Sequence, residues 1–249
     1  MLKKLRDFVT GEPRKRQLIA TLDDFLASAQ DNSLTDEQAK KNLEEGVIEL
    51  LEYGRHSSNG LLITDDGYFL TAKHCLEKPV PGAVRSYDGK IYKLERWSLS
   101  LPKYFGVFDV AIGKAVIPEK QNSKKYRICS LGKFISPFTT IPFKRDIVRL
   151  SRLNQELIFH HQKVLDVITL KGYNHLPVAI RYQGYGATDE LQPGESGGIL
   201  ATTDARILGI HTSKQKKLDC NDYACNFGIS IDVGLWLISH YKGMLESRL

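Results

Sequence analysis

Residues 192–200, QPGESGGIL, place a serine inside a glycine-rich turn that runs directly into an apolar segment. A glycine two positions before a serine allows a turn in which both backbone N–H groups point the same way. Such a pair of donors stabilises the oxyanion that forms when a hydroxyl attacks a carbonyl carbon. The turn therefore predicts a nucleophile at Ser196 and an oxyanion hole formed by the N–H groups of Gly194 and Ser196.

Two other segments supply the partners that a serine nucleophile needs. Residues 68–75, YFLTAKHC, place His74 just past the end of a predicted strand, and residues 108–112, FDVAI, place Asp109 at the head of another. Histidine titrates in a range that lets it accept the serine proton, and a carboxylate on its far nitrogen fixes the tautomer. We therefore predict His74 as general base and acid, Asp109 as its orienting carboxylate and Ser196 as nucleophile.

The order His, Asp, Ser resembles that of the chymotrypsin-like serine proteases of the PA clan, whereas subtilisins and α/β-hydrolases use other orders. Residues 71–75, TAKHC, are similar to the family's Thr-Ala-Ala-His-Cys, residues 109–111 to its Asp-[Ile/Leu/Val]-Ala and residues 194–198, GESGG, to its Gly-Asp-Ser-Gly-Gly. The similarity runs from about residue 57 to 238. It implies a mainly β fold, a chymotrypsin-like double β-barrel, and a serine endopeptidase that works through an acyl-enzyme.

Departures from the family's pattern place the chain nearer to its non-secreted bacterial and viral branches. Secreted members carry a cysteine sixteen residues before the one that follows the catalytic histidine, and Asn59 stands at that position here. Glu195 replaces the aspartate that pairs with a freed N-terminus in those members, and no Ile-Val-Gly-Gly activation site occurs. The resemblance therefore implies a protease without the usual disulfide that folds directly into its active form.

The rest of the chain divides into a helical N-terminal extension and a β-rich remainder. Apolar residues at spacings of three and four predict helices over about residues 14–53, with a capping box, TDEQ, at residues 35–38. Residues 60–71, GLLITDDGYFLT, predict a hairpin with an Asp-Gly turn. Further strands are predicted at residues 107–116, 147–150, 157–170, 178–182, 199–201, 207–211 and 227–231. We assign an extension to residues 1–55 and a peptidase domain to 56–249, with barrels at about 56–135 and 140–232 and a C-terminal helix at 233–249.

Four residues near Ser196 are candidates for substrate binding. In glutamyl endopeptidases a histidine at the position of His211 lines the primary pocket and meets an acidic side chain; the alternative is a core histidine with a satisfied hydrogen bond. Glu190 corresponds to the bottom of the pocket in trypsin-like enzymes, where an acid favours Lys or Arg. The two residues predict opposite preferences, so the preference stays open. Thr212 and Ser213 are expected to offer backbone for β-pairing with an extended substrate.

The composition argues against several other classes of protein. The chain has 249 residues, a hydrophobic fraction of 42% and a net charge of +6, which excludes a disordered or low-complexity protein. Its apolar stretches are too short to span a membrane. His160 and His161 are adjacent and would point to opposite faces of a strand, so we expect one inward and one outward ring, no metal site and no cofactor. Basic runs without interleaved aromatic residues argue against nucleic acid as a partner.

The N-terminal residues and the cysteines bear on the compartment. Polar residues and a proline within residues 7–16 interrupt what would be the apolar region of a secretory signal. We expect buried free thiols rather than a disulfide framework, because the chain has only four cysteines, Cys75, Cys129, Cys220 and Cys225. Together these features predict a cytoplasmic protein, or one exported by a route that does not use an N-terminal Sec signal.

The expected partner is a protein or peptide substrate, and the N-terminal helices would pack on the barrel or recruit a further partner. One alternative to a peptidase is a catalytically dormant module of the same fold that binds or scaffolds other proteins. Dormant members usually lose a triad residue, and His74, Asp109 and Ser196 are all present. A second alternative is an esterase-like activity, which would turn over small esters without cleaving peptides.

Overall fold

The computed structural model describes residues 23, 25–27, 33–77, 81–100, 108–118, 125–131, 146–170, 176–184, 193–214 and 226–246. Its elements, in chain order, are α1 (Asp36–Gly46), β1 (Val47–Glu52), β2 (Arg55–Leu62), β3 (Tyr68–Thr71), a 3₁₀ helix (Lys73–Leu76), β4 (Ala83–Arg85), β5 (Ile91–Ser100), β6 (Ala111–Ala115), β7 (Arg127–Ile128), β8 (Asp146–Leu153), β9 (Glu156–Leu170), β10 (Leu176–Gly184), β11 (Ile199–Thr202), β12 (Arg206–Lys214), β13 (Asn226–Ser230) and α2 (Ile231–Glu246).

The strands form two closed barrels. In the first barrel the order is β1-β2-β3-β6-β5-β4, and β4 closes the ring by pairing with β1. In the second barrel the order is β11-β8-β9-β10-β13-β12, closed by the pairing of β11 with β12, and β7 joins β12 in parallel. The predicted double β-barrel and the C-terminal helix are therefore confirmed.

Adjacent apolar residues of one strand pack into different hydrophobic clusters, because successive side chains of a strand point to opposite faces. Leu62 and Phe69 belong to the core of the first barrel, whereas the adjacent Leu61 and Leu70 belong to a larger cluster between the barrels. That larger cluster also takes apolar residues from the second barrel and from α2: Leu150, Ile199, Ile210, Ile229, Val233 and Leu237. The barrels are therefore joined along a continuous apolar junction, and the Ser196 turn immediately precedes β11 at this junction.

The helical prediction for residues up to 53 is wrong beyond Gly46. Helix α1 ends at Gly46, and Val47–Glu52 form β1, in which all residues but the last are buried. A short run that is buried on both faces satisfies helical and strand spacing alike, so its spacing did not discriminate between them. The first barrel therefore begins at Val47, inside the segment assigned to the extension.

Helix α1 begins at the predicted capping box. The Thr35 hydroxyl accepts a hydrogen bond from the backbone N–H of Gln38, whose side chain accepts one from the backbone of Thr35. Arg127 of β7 lies 2.5 Å from the carboxylate of Asp36, and Asn42 donates to a backbone carbonyl in the segment before β7. In the described residues the extension thus packs against the chain that leads into the second barrel.

The predicted hairpin is confirmed as β2 and β3, which pair through Leu61 with Leu70 and Leu62 with Phe69. Within the described residues, Cys75 and Cys129 are buried and form no disulfide, as expected, whereas Cys220 and Cys225 lie outside them. In that same part of the chain, every helix is too short or too polar to cross a membrane.

Replacing Gly67 with alanine is expected to destabilise the fold more than the same change at Gly54. Both glycines have positive φ angles, +103° and +77°, at which alanine is strained by about 1–2 kcal/mol. A Cβ at Gly67 would also lie 2.3 Å from the carbonyl oxygen of Ala115, whereas a Cβ at Gly54 would meet nothing within 4 Å. Urea unfolding should show the larger loss for Gly67→Ala; equal losses would contradict the close contact at the hairpin turn.

Candidate active site

His74 and Asp109 form a hydrogen-bonded pair at one end of the first barrel. Strand β3 ends at Thr71 and turns into the 3₁₀ helix that carries His74, while Asp109 precedes β6, the antiparallel neighbour of β3. Asp109 Oδ2 lies 2.6 Å from His74 Nδ1, and Oδ1 accepts from the backbone N–H of His74 at 2.9 Å. One carboxylate therefore fixes both the ring and the backbone of the histidine.

Within this pair, the charged forms of both residues are favoured: the imidazolium of His74 and the carboxylate of Asp109. The hydrogen bond to Asp109 is the main cause that raises the pKa of His74 to about 10; contact with Cys75 adds to the rise, and burial opposes it. Burial alone would raise the pKa of Asp109, but its hydrogen bonds with the ring and backbone of His74 bring that pKa below the usual value. The arrangement stabilises an imidazolium, the species that a general base forms once it has taken a proton.

Cys75 follows the histidine and contacts its other nitrogen. The Cys75 sulfur lies 3.6 Å from His74 Nε2. Asn59, which stands where the resemblance places a partner cysteine, forms polar bonds to the second barrel instead. Its Nδ2 donates to the carbonyl of Gly194 at 2.9 Å, and its Oδ1 accepts from the backbone of Arg152 at 2.7 Å. The asparagine thus joins the two barrels at the position of the missing disulfide.

The turn that carries Ser196 is seated directly on the first barrel. The backbone N–H of Asn59 donates to the carbonyl of Ser196 at 2.7 Å. Gly197 has a φ of +81°, and a Cβ there would lie 1.9 Å from the carbonyl oxygen of Asn59 and 2.5 Å from the hydroxyl oxygen of Thr71. Because Thr71 is the last residue of the strand before His74, this close packing brings the serine turn and the histidine to the same end of the first barrel.

The serine hydroxyl is not hydrogen-bonded to the histidine within the part of the chain that the structure describes. Ser196 Oγ donates instead to the carbonyl of Thr212 at 3.2 Å. Catalytic hydrogen bonds are often long or misaligned in ligand-free enzymes and tighten when substrate binds. A hydrogen bond to His74 would require the serine hydroxyl to leave the Thr212 carbonyl.

The predicted oxyanion donors lie on either side of the Gly194–Glu195 peptide. Gly194 has a φ of +95°, and its carbonyl accepts from His56 Nε2 and from Asn59 Nδ2, each at 2.9 Å. The backbone N–H of Gly198 donates to the carbonyl of Glu195 at 3.0 Å, which closes a turn around the serine. Through His56 and Asn59, the first barrel holds the carbonyl of Gly194 in place.

The side chain of Glu195 points into the second barrel, where it meets positive charge. It is 1% exposed, and Arg149 Nη2 lies 3.1 Å from both of its carboxylate oxygens. Ser151 donates to Oε1 at 3.2 Å, and His160 Nε2 lies 2.9 Å from the same oxygen. An arginine of the chain itself thus pairs with Glu195, the residue that the resemblance matches to the aspartate bound by a freed N-terminus. Sequence reasoning missed this role of Arg149 because nothing nearby in the sequence marks it.

The candidate specificity residues differ in their surroundings. His211 is 2% exposed, its Nδ1 is hydrogen-bonded to the Tyr182 hydroxyl, and burial is the main cause that lowers its pKa to about 3. These are the contacts of a neutral core histidine, the second of the two alternatives. Thr212 offers its carbonyl to Ser196, and Ser213 of β12 pairs with Phe227 of β13. Glu190 lies outside the described residues.

The adjacent histidines of β9 lie on opposite sides of the strand, as expected, since His160 is buried and His161 is exposed.

Two further residues at the site were missed at the level of sequence: His56, which bonds to Gly194, and Glu49, which bonds to His56. A buried acid inside the apolar run of residues 47–52, VIELLE, was the one available signal for Glu49.

Comparison with known proteins gives a match in structure alone. No family model matches the sequence, and no curated protein matches it. The apo MamO protease domain from Magnetospirillum magneticum is 13% identical with a TM-score of 0.54, covering 81% of this chain and 98% of that one. The chain has the chymotrypsin-like protease fold. Rv3671c from M. tuberculosis H37Rv, solved as a serine-to-alanine mutant in an inactive form, is 16% identical with a TM-score of 0.53, covering 84% of this chain and 93% of that one.

Replacing Arg149 with methionine is expected to destabilise the protein, because it leaves the buried carboxylate of Glu195 without its guanidinium. Removing one partner of a buried ion pair typically costs about 3–5 kcal/mol of unfolding free energy. The double variant R149M/E195Q removes both charges and should lose less. Urea unfolding of both variants measures the difference, and a single variant as stable as the double one would contradict the pairing.

Proposed function

We propose that the protein is a serine endopeptidase that hydrolyses peptide bonds with His74, Asp109 and Ser196. The observation that carries this proposal is the 2.6 Å hydrogen bond between His74 Nδ1 and Asp109 Oδ2, at the end of the barrel on which the Ser196 turn is seated. The likeness to the MamO protease domain supports a peptidase at the level of the fold.

Acylation begins when the Ser196 hydroxyl turns from Thr212 toward His74. Because Asp109 keeps the ring proton on Nδ1, the lone pair of Nε2 is available for the serine proton. Oγ then forms a bond to the scissile carbonyl carbon, and the resulting oxyanion accepts hydrogen bonds from the N–H groups of Gly194 and Ser196. The imidazolium gives its proton to the leaving amine, the C–N bond breaks, and an acyl-enzyme remains.

Deacylation repeats these steps with water. His74 takes a proton from the water, whose oxygen attacks the ester carbonyl, and the proton returns to Ser196 Oγ as the ester bond breaks. The substrate backbone would add beside β12 at Thr212 and Ser213. Among the described residues, β11 begins at Ile199 and pairs with β12 only up to Ile210, which leaves this edge of β12 available for an extended peptide.

Labelling with a fluorophosphonate tests the nucleophile without knowledge of the substrate. We expect the reagent to modify Ser196 in the wild-type protein and not to modify Ser196→Ala. Ser86→Ala, in the turn between β4 and β5, is the matched control and should react like the wild-type protein. Mass spectrometry of the labelled peptides identifies the site. Labelling that persists in Ser196→Ala would refute the assignment.

The hydrogen bond from Ser196 to Thr212 is the observation that favours the second candidate, a dormant module that binds other proteins. In such a module the hydroxyl stays on the Thr212 carbonyl, and the wild-type protein does not react with the fluorophosphonate. The esterase alternative predicts labelling and turnover of small esters without cleavage of any peptide in a proteome-derived library. The same library would report the preference for acidic or basic residues.

The labelling rate is expected to rise with pH as His74 loses its proton, because only the unprotonated ring accepts the serine proton. The pKa of His74, raised to about 10 chiefly by Asp109, places this rise on the alkaline side of neutral. Asp109→Asn removes the carboxylate, so the midpoint should move down toward the ordinary histidine pKa of about 6.5, and the rate should fall by about 10⁴. An unchanged midpoint in Asp109→Asn would contradict this role of the carboxylate.

A further inference from the structure

A second imidazole–carboxylate pair lies behind the proposed oxyanion hole. His56 belongs to β2 and Glu49 to the neighbouring β1, and their side chains are 5% and 0% exposed. His56 Nδ1 lies 3.0 Å from Glu49 Oε1, and His56 Nε2 lies 2.9 Å from the carbonyl oxygen of Gly194. The mechanism described above uses neither residue.

Both nitrogens of His56 face groups that accept hydrogen bonds. A neutral imidazole carries a single N–H, whereas a carboxylate and a carbonyl have no proton to donate. Both contacts are therefore hydrogen bonds only when His56 is an imidazolium. When the ring is neutral, the carboxylate is the stronger acceptor and keeps the proton on Nδ1. The lone pair of Nε2 then faces the carbonyl oxygen of Gly194, which is repulsive.

The surroundings of Glu49 keep it charged. Arg85 Nη1 and the backbone N–H of Gln155 lie 3.2 and 3.1 Å from its Oε2. Burial alone would raise the pKa of Glu49, but its hydrogen bond and charge interaction with His56, the bond from Gln155 and the charge of Arg85 together lower it. The guanidinium of Arg152, from β8, also interacts with this carboxylate. Glu49 is thus the charged group that contacts the His56 ring, and Arg85 and Arg152 in turn interact with Glu49.

The carbonyl that His56 holds belongs to the peptide between the two oxyanion donors. A Cβ on Gly194 would lie 2.6 Å from His56 Nε2, so the ring rests directly against the Gly194 backbone. The angle between the N–H groups of Gly194 and Ser196 depends on the backbone torsions on either side of this peptide, which the hydrogen bonds to its carbonyl help to fix. A loss of the bond to His56 leaves Asn59 Nδ2 as the other donor to this carbonyl.

We propose that protonated His56, held by Glu49, is a positioning residue that fixes the Gly194–Glu195 peptide and thereby aligns the oxyanion donors. The inference rests on the proposed function, because alignment matters only if Ser196 reacts. His56 touches no reacting atom. Its consequence is that removal of the His56 ring slows the reaction at Ser196, whereas another side chain that donates to the Gly194 carbonyl restores it.

The test is the rate at which a fluorophosphonate modifies Ser196. In this reaction the Oγ–P bond forms, the serine proton passes to His74, fluoride leaves, and the phosphoryl oxygen occupies the oxyanion hole. The variants are His56→Ala and His56→Gln, since the Gln carboxamide reaches the place of Nε2 and donates to Gly194 without ionising. His161→Ala, at an exposed histidine of β9, is the control.

We expect His56→Ala to react about 10- to 100-fold more slowly than the wild-type protein. This loss of rate is no larger than the loss caused by removing one oxyanion donor outright. His56→Gln should react within about threefold of wild type, because its carboxamide N–H donates to the same carbonyl. His161→Ala should react at the wild-type rate. Urea unfolding of each variant shows that it is folded, and if His56→Ala does not fold, His56→Met, which fills the place of the ring without a donor, takes its place.

The failures of the two proposals are distinguishable. A wild-type protein that is never labelled contradicts the proposed function. A labelled wild-type protein with His56→Ala equally fast, or with His56→Gln as slow as His56→Ala, overturns the role of His56 alone. A crystal structure of His56→Ala needs no activity: we expect the Gly194–Glu195 peptide to rotate, and an unmoved peptide overturns the inference whether or not the wild-type protein is labelled.

Discussion

The seating of the Ser196 turn on strand β2 is the contact on which the rest of the site depends. The backbone of Asn59 donates to the carbonyl of Ser196, and Gly197 approaches the Asn59 carbonyl so closely that a Cβ would lie 1.9 Å from it. The two barrels carry different parts of the site, so the chemistry requires them to meet in one register. A glycine at this position, together with a buried asparagine side chain, provides that register without a covalent link.

Three carboxylates close to this contact are each matched to positive or titratable groups. Asp109 is matched to His74, Glu195 to Arg149 and His160, and Glu49 to His56 and Arg85. Two of them, Glu195 and Glu49, are almost completely buried, where an unpaired charge would be strongly unfavourable. Each pair therefore constrains the backbone that carries it, and all three act on the chain around Ser196 or His74.

Local patterns predicted a large share of the fold. The capping box before α1, the Asp-Gly hairpin and most strands of the second barrel lie where their motifs indicated. The patterns failed where burial is two-sided or the element is very short, and they also missed the ten-residue strand β5. Strand β1 was assigned to a helix because its residues are buried on both faces, and β4 and β7, of three and two residues, are too short to show a period.

By itself the sequence determined the features that depend on a few consecutive residues: the glycine turn around Ser196, the histidine at the end of β3 and the aspartate before β6. Backbone conformation and capping act over three or four positions, so these signals are local. Only the tertiary structure decided which charged groups meet. Arg149 and Glu195 are 46 residues apart, and His56 and Gly194 are 138 apart. Such pairings follow from barrel closure and from the register between the barrels, which no local spacing records.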